Sequence, residues 1–328
     1  MQGGCGVEST LGSEALPYSC RQFPRLLLVD ARGWHQSLSA WCGTAARTIA
    51  GFQPLDPADH ISSFLSFDHI KADQRVHLEA LDAREAWPPM LRPDVLAGHG
   101  GYAAWETRLL AEFLGPACDG QAPLPDMLAS ALCWTDGIRS WRRADGSLEV
   151  LAGRRWRHTD PKRVLRASAT SDALLARVLR PLLASVPAKW RPHAWPEGLT
   201  DGATGGAPIS RQHADAALGR YLATRLFGSW VAYQGTGLRS VAASLVHAYV
   251  LASLALYTTQ EAASVVTFDR LTSAIRASDW LLLHLLDRDV WARACSQYES
   301  DADAAPLLEL VAGATRLLDS CTWLTPEG

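Results

Sequence analysis

Hydrophobic residues in the last third of the chain recur at the spacing of an α-helix. Leu218, Leu222, Leu226 and Trp230 stand four positions apart, which places them on one face of a helix. The same pattern predicts further helices at about 237–258, 267–286 and 304–321. We interpret these stripes as faces packed in a protein core, because an amphipathic helix buries its apolar side.

The middle of the chain shows the same periodicity, interrupted by turn residues. Trp105, Leu109 and Phe113 predict a helix that starts near Tyr102 and ends at Gly115. Two more helices are predicted at 124–141 and 172–186, with a turn and a brief β-like piece at 144–158. Helical segments thus dominate from the second hundred residues onward.

The N-terminal part lacks long hydrophobic stripes. The apolar run 26–29, followed by a polar turn, predicts a strand. Ser39 is predicted to cap a short helix that runs from Cys42 to Ala50. The prolines of 51–98 predict short helices joined by loops.

These elements predict a mainly α fold in which an irregular, cysteine-rich N-terminal segment packs on a multi-helix bundle. A chain of 328 residues is long enough to bury a sizeable core. The predicted parts are a cysteine-rich, metal-binding segment at 1–50, a helical region at 51–186, a loop at 187–210 and a C-terminal helical region at 211–328. We expect all four parts to form one compact unit.

Composition and charge narrow the function classes. Hydrophobic residues make up 48% of the chain and charged residues 20%, which is typical of a globular protein. The net charge of −3 gives no overall attraction to nucleic acid or to an anionic membrane, so neither is expected as a partner. The first twenty residues have neither the basic region nor the apolar run of a secretory signal. We therefore expect a cytoplasmic protein whose seven cysteines stay reduced.

The segment 240–259 is the one stretch that calls for a membrane test. It has no formal charge over twenty residues, which is long enough to cross a bilayer. It is also rich in Ala, Ser and Thr and holds His247, which disfavours insertion. We predict a buried core helix rather than a transmembrane span.

Three cysteines stand near the N-terminus: Cys5, Cys20 and Cys42. Cysteine thiolates are natural ligands for zinc and for iron–sulfur clusters. Their spacing contains none of the usual C-x-x-C pairs, and by itself it favours small buried hydrophobic cysteines. The remaining cysteines are predicted to be structural: Cys118, Cys133, Cys295 and Cys321.

The residues around the N-terminal cysteines add to what the spacing indicates. The run CGVESTLGSEALPYSCRQFPR, followed after a short strand by LSAWCGTAAR, resembles the cysteine-cluster family of zinc- or iron-chelating proteins. The larger, helical members of that family include the flagellin lysine N-methylase. LDAREAWPPMLRPDVL and GYAAWE are similar to a stretch that these larger members carry after the cluster, and LGRYLATRLFGSWVAYQGTGL is similar to their closing helical region. The resemblance covers nearly the whole chain and is most specific in residues 4–48.

The resemblance implies a metal site that holds either an iron–sulfur cluster or a zinc ion. The expected ligands are Cys5, Cys20 and Cys42. Zinc needs a fourth ligand, which His35 could supply if it is not an ordinary surface histidine. Three cysteines could instead hold a four-iron cluster with one iron left open. Arg21 and Arg25 either favour the thiolate of Cys20 or merely solvate the turn.

The activity implied by the resemblance is methylation of a lysine side chain on a protein substrate, with S-adenosylmethionine as the methyl donor. The GYAAWE and LDAREAWPP segments are expected to shape the pocket beside the cysteines. Family members begin with a closely spaced C-x-x-C-C group, which has no counterpart before Cys5. We expect either that residues upstream of Met1 are missing or that the protein is a truncated descendant.

A second hypothesis is a non-catalytic helical module that binds a metal or a partner and that lost its activity with the first cysteines. The basic stretch from Arg139 to Arg166, which includes Trp141 and Trp156, fits a nucleic-acid surface, a surface for an acidic protein or a solvated face, and we favour the last. The glycine cluster at 98–101 is interpreted as a plain helix N-terminus rather than a phosphate cradle.

Overall fold

A computed structural model describes residues 10–11, 25–51, 81–115, 122–154, 175–193, 195, 206–259 and 264–325. Within these ranges the protein is mainly helical, as predicted, and its strands form two small sheets near the N-terminus.

The predicted strand at 26–29 is confirmed as part of a β-hairpin. β1 (Arg25–Asp30) pairs antiparallel with β2 (Gly33–Leu38). The register sets Arg25 opposite Leu38 and Asp30 opposite Gly33. Gly33 follows the turn with a φ of 127°, a conformation that residues with a side chain rarely adopt. The chain therefore enters β1 and leaves β2 at the same end of the hairpin.

The remaining strands are short. β3 (Leu81–Asp82) pairs parallel with β1, whereas β4 (Met90–Arg92) and β5 (Val95–Leu96) form a separate antiparallel pair around a turn at Asp94. The prediction of short helices in 51–98 is wrong for the described end of that segment. Its prolines favour extended backbone in the residues before them, which suits strands better than helices.

The helices are α1 (Gly43–Ala50), α2 (Gly98–Leu114), α3 (Leu124–Arg139), α4 (Leu148–Gly153), α5 (Arg180–Ser185), α6 (Arg211–Leu226), α7 (Leu238–Thr258), α8 (Phe268–Asp279), α9 (Arg288–Ser296) and α10 (Ala305–Asp319). Short π-helical segments at Leu175–Leu179 and Trp280–Leu285 precede α5 and follow α8, and a 3₁₀ turn at Trp230–Tyr233 follows α6. The helices predicted from hydrophobic stripes are confirmed, with ends that differ by a few residues.

Two short helices were not predicted. Each begins at a capping side chain rather than in a long hydrophobic stripe. α4 replaces the β-like piece expected in 144–158, and Ser147 caps it by accepting a hydrogen bond from its first turn. α9 has no counterpart among the predicted helices, and the carboxylate of Asp287 caps it in the same way. Neither helix is long enough for hydrophobic periodicity to reveal it.

Helix α7 occupies the centre of the bundle. Every residue from Leu238 to Leu256 is buried, and α7 packs against α8 and α10. The helix is long and apolar enough to cross a membrane, but 89% of its most apolar window is buried inside the protein. The prediction of a buried core helix is therefore confirmed.

One hydrophobic core joins the central and the C-terminal helical regions. It includes Trp105 of α2, Met127 of α3, Tyr249 of α7 and Trp291 of α9, each of which is almost fully buried. Ile49 of α1 belongs to the same core, so α1 is packed onto the bundle rather than attached through its surface alone.

The glycines at the start of α2 serve helix packing. A Cβ placed on Gly101 would lie only 2.8 Å from the side chain of Leu148, so glycine lets α4 pack closely on α2. This packing agrees with the interpretation of the glycine cluster as a helix N-terminus that serves the fold.

Candidate functional site

Cys42 is the predicted metal ligand that lies within the described ranges; Cys5 and Cys20 lie outside them. Cys42 directly precedes α1, and its carbonyl oxygen accepts a hydrogen bond from the Ala46 N–H at 2.8 Å. Its side chain is half-buried. Because Cys42 itself occupies the N-cap position, the prediction that Ser39 caps this helix is wrong.

The backbone just before Cys42 is bonded to a buried aspartate at the end of α8. Asp279 Oδ2 accepts hydrogen bonds from Ser39 Oγ at 2.8 Å and from the Trp41 N–H at 3.1 Å. Asp279 is fully buried, and a nitrogen of the Arg225 guanidinium lies 3.6 Å from its other carboxylate oxygen. Ser39 therefore ties the N-terminal segment to the C-terminal helices.

Ser39, Asp279 and His284 are the residue types of a hydrolytic triad. The way in which they are hydrogen-bonded, however, gives Ser39 no nucleophilic role. Ser39 Oγ lies 2.8 Å from Asp279 Oδ2 and 2.9 Å from His284 Nε2. The serine hydroxyl has one proton, and a carboxylate only accepts. Ser39 thus donates to Asp279 while His284 donates to Ser39, so the imidazole cannot act as a base on the serine. Burial of Ser39 also keeps this hydroxyl away from a substrate.

Aromatic rings and a guanidinium stack beside Cys42. The rings of Trp41 and Trp280 stack, with centroids 4.3 Å apart and planes 25° from parallel, and Trp280 stacks in turn on His284 at 5.5 Å. Arg276 lies over the Trp41 ring at 4.9 Å, and its Nε donates to the Trp41 carbonyl oxygen at 3.1 Å. Burial lowers the pKa of the Arg276 guanidinium, an effect that its attraction to Cys42 partly offsets.

The turn end of the hairpin holds a second polar group, the Asp30 cluster, which comprises Asp30, Arg32, His35, Tyr102, Glu106 and Tyr233. Within it, Arg32 donates through Nε to Asp30 at 2.9 Å and through a terminal nitrogen to Glu106 at 2.7 Å. Its guanidinium also lies 5.0 Å from the centre of the Tyr102 ring. Arg32 thereby joins the hairpin to α2.

His35 lies in the Asp30 cluster, with its Nε2 3.0 Å from Asp30 Oδ1. Its ring also contacts Phe227 edge-on, at a centroid distance of 5.6 Å. The tyrosine hydroxyl of Tyr233 donates a further hydrogen bond to Asp30. The structure therefore gives His35 a partner in the protein interior, so the expectation of a fourth zinc ligand draws no support from its contacts.

Electrostatic interactions in the Asp30 cluster favour the ionised form of the Asp30 carboxyl group. Burial acts to raise the pKa of Asp30, but hydrogen bonds from His35, Arg32 and Tyr233 outweigh it and hold that pKa well below its usual range. Burial and the nearby Glu106 carboxylate raise the pKa of Tyr102 well above that of a free tyrosine. Asp30 therefore stays ionised and Tyr102 stays neutral at physiological pH.

Two segments that carry the family resemblance contribute to the Asp30 cluster, and a third lies beside it. GYAAWE supplies Tyr102 and Glu106, the WVAYQ part of the closing region supplies Tyr233, and LDAREAWPP includes β3 beside β1. A six-residue strand is about 17 Å long, so this cluster and the Leu38 end of the hairpin are well separated. The segments expected to shape a pocket beside the cysteines thus converge at the turn end of the hairpin.

No protein-family model, curated protein or solved structure matches this chain. The resemblance to the cysteine-cluster family therefore remains a prediction carried by the residues quoted for it. What the site can do must be argued from its geometry.

The described residues include one predicted metal ligand rather than a full set. Within those ranges, no group of three or more His, Cys, Asp or Glu side chains is placed to hold a metal ion. Cys42 has the soft donor and the partial exposure that a ligand needs, but it lacks the other donors. A metal held by Cys42 would need its remaining ligands from outside the described ranges. Cys5 and Cys20 lie there.

The C-terminal cysteines are core residues, as predicted. Cys295 is fully buried, 3.9 Å from His247, and burial raises the pKa of its thiol far above the usual value. Burial likewise raises the pKa of Cys321 to about 11. Protonated thiols are poor ligands and poor nucleophiles, so both residues are inert at neutral pH. Cys133 is half-buried and Cys118 lies outside the described ranges.

The arginines in the described part of the basic stretch divide into two kinds. Arg139 is paired with Glu299 at 2.6 Å, and both side chains are largely buried. Arg142, Arg143 and Arg154 are exposed. This division matches a solvated face with one structural ion pair.

Sequence reasoning missed the partners that fix the hairpin. Asp30 and Arg32 could have been noticed, because a charged pair directly follows a buried apolar strand. Arg276 and Asp279 carry no such signal, since they look like ordinary polar positions of an amphipathic helix.

Proposed function

We propose that this protein is a cytoplasmic metal-thiolate protein that methylates lysine side chains of a protein substrate. Cys42, together with Cys5 and Cys20, would hold an iron–sulfur cluster or a zinc ion. The observation that carries this proposal is a half-buried cysteine whose preceding backbone is bonded on both sides by a distant helix. Ligands held in this way before metal arrives lose little entropy on binding.

Cys42 differs from the core cysteines in the properties that a ligand requires. Cys295 and Cys321 are buried and have raised pKa values. Cys42 has exposed surface and lies beside the guanidinium of Arg276, a setting typical of reactive or metal-binding cysteines. The hairpin also brings the strand that begins five residues after Cys20 back beside the strand that ends four residues before Cys42.

The chain's own residues have defined roles in this proposal. The bound metal group would supply the soft, redox-active or Lewis-acidic centre near which a methyl donor such as S-adenosylmethionine is bound. Asp279 and Arg276 hold the backbone that carries Cys42, and the Asp30 cluster fixes the other end of the same hairpin.

Anaerobic purification from cells supplied with iron and zinc tests the metal. We expect either a brown protein with broad visible absorption or a colourless protein with stoichiometric zinc. Cys42→Ser should lose that metal, because a ligand thiolate is removed. The matched control is Cys133→Ser, which alters another half-buried cysteine and should keep the metal. A wild-type protein without metal under these conditions would refute the metal-thiolate assignment.

Methyl transfer is tested separately on the metal-loaded protein. S-adenosylmethionine with a labelled methyl group should label lysine residues of a protein substrate, and Cys42→Ser should abolish the labelling. Loss of labelling in Cys133→Ser as well would mean that general instability, not a missing ligand, is responsible.

A second candidate is a non-catalytic module that binds a partner protein. The observation that favours it is Trp87, whose side chain is 76% exposed in the segment before β4. Tryptophan is enriched among the residues that contribute most of the binding energy at protein interfaces. A protein that holds metal but transfers no methyl group to any protein lysine would favour this candidate over the enzyme.

A further inference from the structure

Trp41, the residue before Cys42, is held by one short stretch of the C-terminal half. Its N–H donates to Asp279 and its carbonyl oxygen accepts from Arg276. Its indole contacts the Arg276 guanidinium and stacks on the Trp280 ring. The backbone donor, the backbone acceptor and the side chain of Trp41 are thus all engaged by residues 276–280.

These contacts reach Cys42 through the peptide bond. The carbonyl of Trp41 and the N–H of Cys42 belong to the same planar peptide group, so a hydrogen bond to that carbonyl fixes the plane from which Cys42 begins. The Cys42 N–H points to the Ser39 carbonyl oxygen at 3.4 Å. Ser39 is in turn bonded to Asp279, which closes a loop of contacts around the two residues before Cys42.

The far end of α1 is held in the same manner. Arg220 is buried, and its guanidinium donates to the carbonyl oxygens of Ile49, at 2.7 Å, and of Gly51. These are the carbonyls that a helix C-terminus leaves without partners. Contacts from α6 and α8 therefore fix α1 at both ends, and Cys42 at its start cannot shift along the helix axis.

We propose that Arg276 and Asp279 are positioning residues that fix the direction of the Cys42 side chain. This role rests on the proposed function for its purpose, which is to hold a ligand sulfur ready for metal. The contacts involve protein atoms alone, so they can be tested in the metal-free chain.

The test uses two variants that leave the charge near Cys42 unchanged. Arg276→Lys keeps a cation but loses the planar group that stacks on Trp41 and bonds its carbonyl. Ser39→Ala removes one hydrogen bond to Asp279. The control is Arg211→Lys, because Arg211 also lies over a tryptophan, Trp323 at 5.7 Å, but on α6 and beside α10.

In the metal-free chain, the readout is the rate at which iodoacetamide alkylates Cys42, measured by mass spectrometry relative to Cys133. Each test variant should raise that rate by about threefold to tenfold, the effect of losing one hydrogen bond that restrains the segment. Arg211→Lys should leave the rate unchanged, and Cys133 should react equally in all the proteins.

In the metal-loaded chain, the readout is the visible or cobalt-substituted spectrum and the rate of metal loss to a chelator. Arg276→Lys and Ser39→Ala should change both, whereas Arg211→Lys should change neither. If the alkylation rate of Cys42 in both test variants equals that of wild type, the positioning role is refuted. A wild-type chain without metal would refute the proposed function alone, since the alkylation result still decides the positioning role.

Discussion

The tripeptide Asp-Ala-Arg occurs twice, on neighbouring parallel strands, and the two copies differ in what surrounds them. In each copy the aspartate accepts a hydrogen bond from the backbone N–H of the arginine, at 2.7 Å for Asp30 and 3.1 Å for Asp82. In each, the arginine Nε also donates to the aspartate, at 2.9 Å. The local sequence therefore produces the same local pairing twice.

Burial separates the two copies. The side chain of Asp30 has no exposed surface and that of Arg32 has 15%, against 51% for Asp82 and 63% for Arg84. Asp30 and Arg32 bind additional groups from α2 and from the turn after α6, whereas the second pair lies at the surface. The comparison teaches that local sequence sets the pairing, while tertiary partners set how much the pairing stabilises the protein.

The largest expected effect is that of Asp30→Asn. Removing this charge leaves the buried Arg32 guanidinium with only Glu106, so we expect the free energy of unfolding to fall by about 3 kcal/mol. Urea unfolding at neutral pH measures it. If Asp30→Asn loses no more unfolding free energy than Asp82→Asn in the exposed copy, burial does not decide how much each pair stabilises the protein.

The pH dependence of the unfolding free energy should differ between wild type and Asp30→Asn. The pKa of Asp30 is lowered on folding, so its contribution is present above the pKa of an unfolded aspartate, about 3.9, and is lost as the pH falls towards the folded value. Between about pH 5 and about pH 2, wild type should lose more unfolding free energy than Asp30→Asn. Parallel curves for the two proteins would contradict the lowered pKa.

A smaller effect is expected for Glu106→Gln. This change keeps a hydrogen-bond acceptor for Arg32 but removes the charge that links the hairpin to α2, and about 1.5 kcal/mol should be lost. The double variant with Asp30→Asn tests the link, since the two losses should not add for residues that share Arg32. Strict additivity would mean that Arg32 does not couple them.

The smallest effect is expected for Asp82→Asn. Arg84 lowers the pKa of Asp82 to about 2, yet both side chains are exposed, so solvent screens the pair. We expect no measurable change in the free energy of unfolding in the same urea experiment. A loss that matches that of Asp30→Asn would show that the two copies are energetically equivalent after all.

The sequence predicts the helices that carry a periodic hydrophobic pattern. It does not predict a helix whose start depends on a single capping residue. The hydrophobic stripes of α6 and α7 predict both helices, because periodicity over several turns reports a buried face. α9 escaped, since its start depends on one capping aspartate, Asp287. The mainly α class could therefore be predicted, but not every helix.

Only part of the candidate site could be predicted from the sequence, because some of its contacts join residues that are distant along the chain. Cys42 could be singled out by the residues around it, and the Asp30–Arg32 pair by its place after a strand. The partners of Trp41 could not, because Arg276 and Asp279 are more than 230 residues away, and no alignment-free pattern links positions so distant. Their role emerges only from the packing of α8 against α1.

The contact between Ser39 and Asp279 spans 240 residues, and this separation has a consequence for biosynthesis. At a translation rate of roughly 5–20 residues per second, the ribosome makes Asp279 roughly 12–48 seconds after Ser39. For most of that interval the hairpin lies outside the exit tunnel but lacks α8, the helix that binds the residues after β2. Cys42 therefore acquires its native geometry only after α8 has been synthesised, and any metal loading that needs this geometry must wait for that helix.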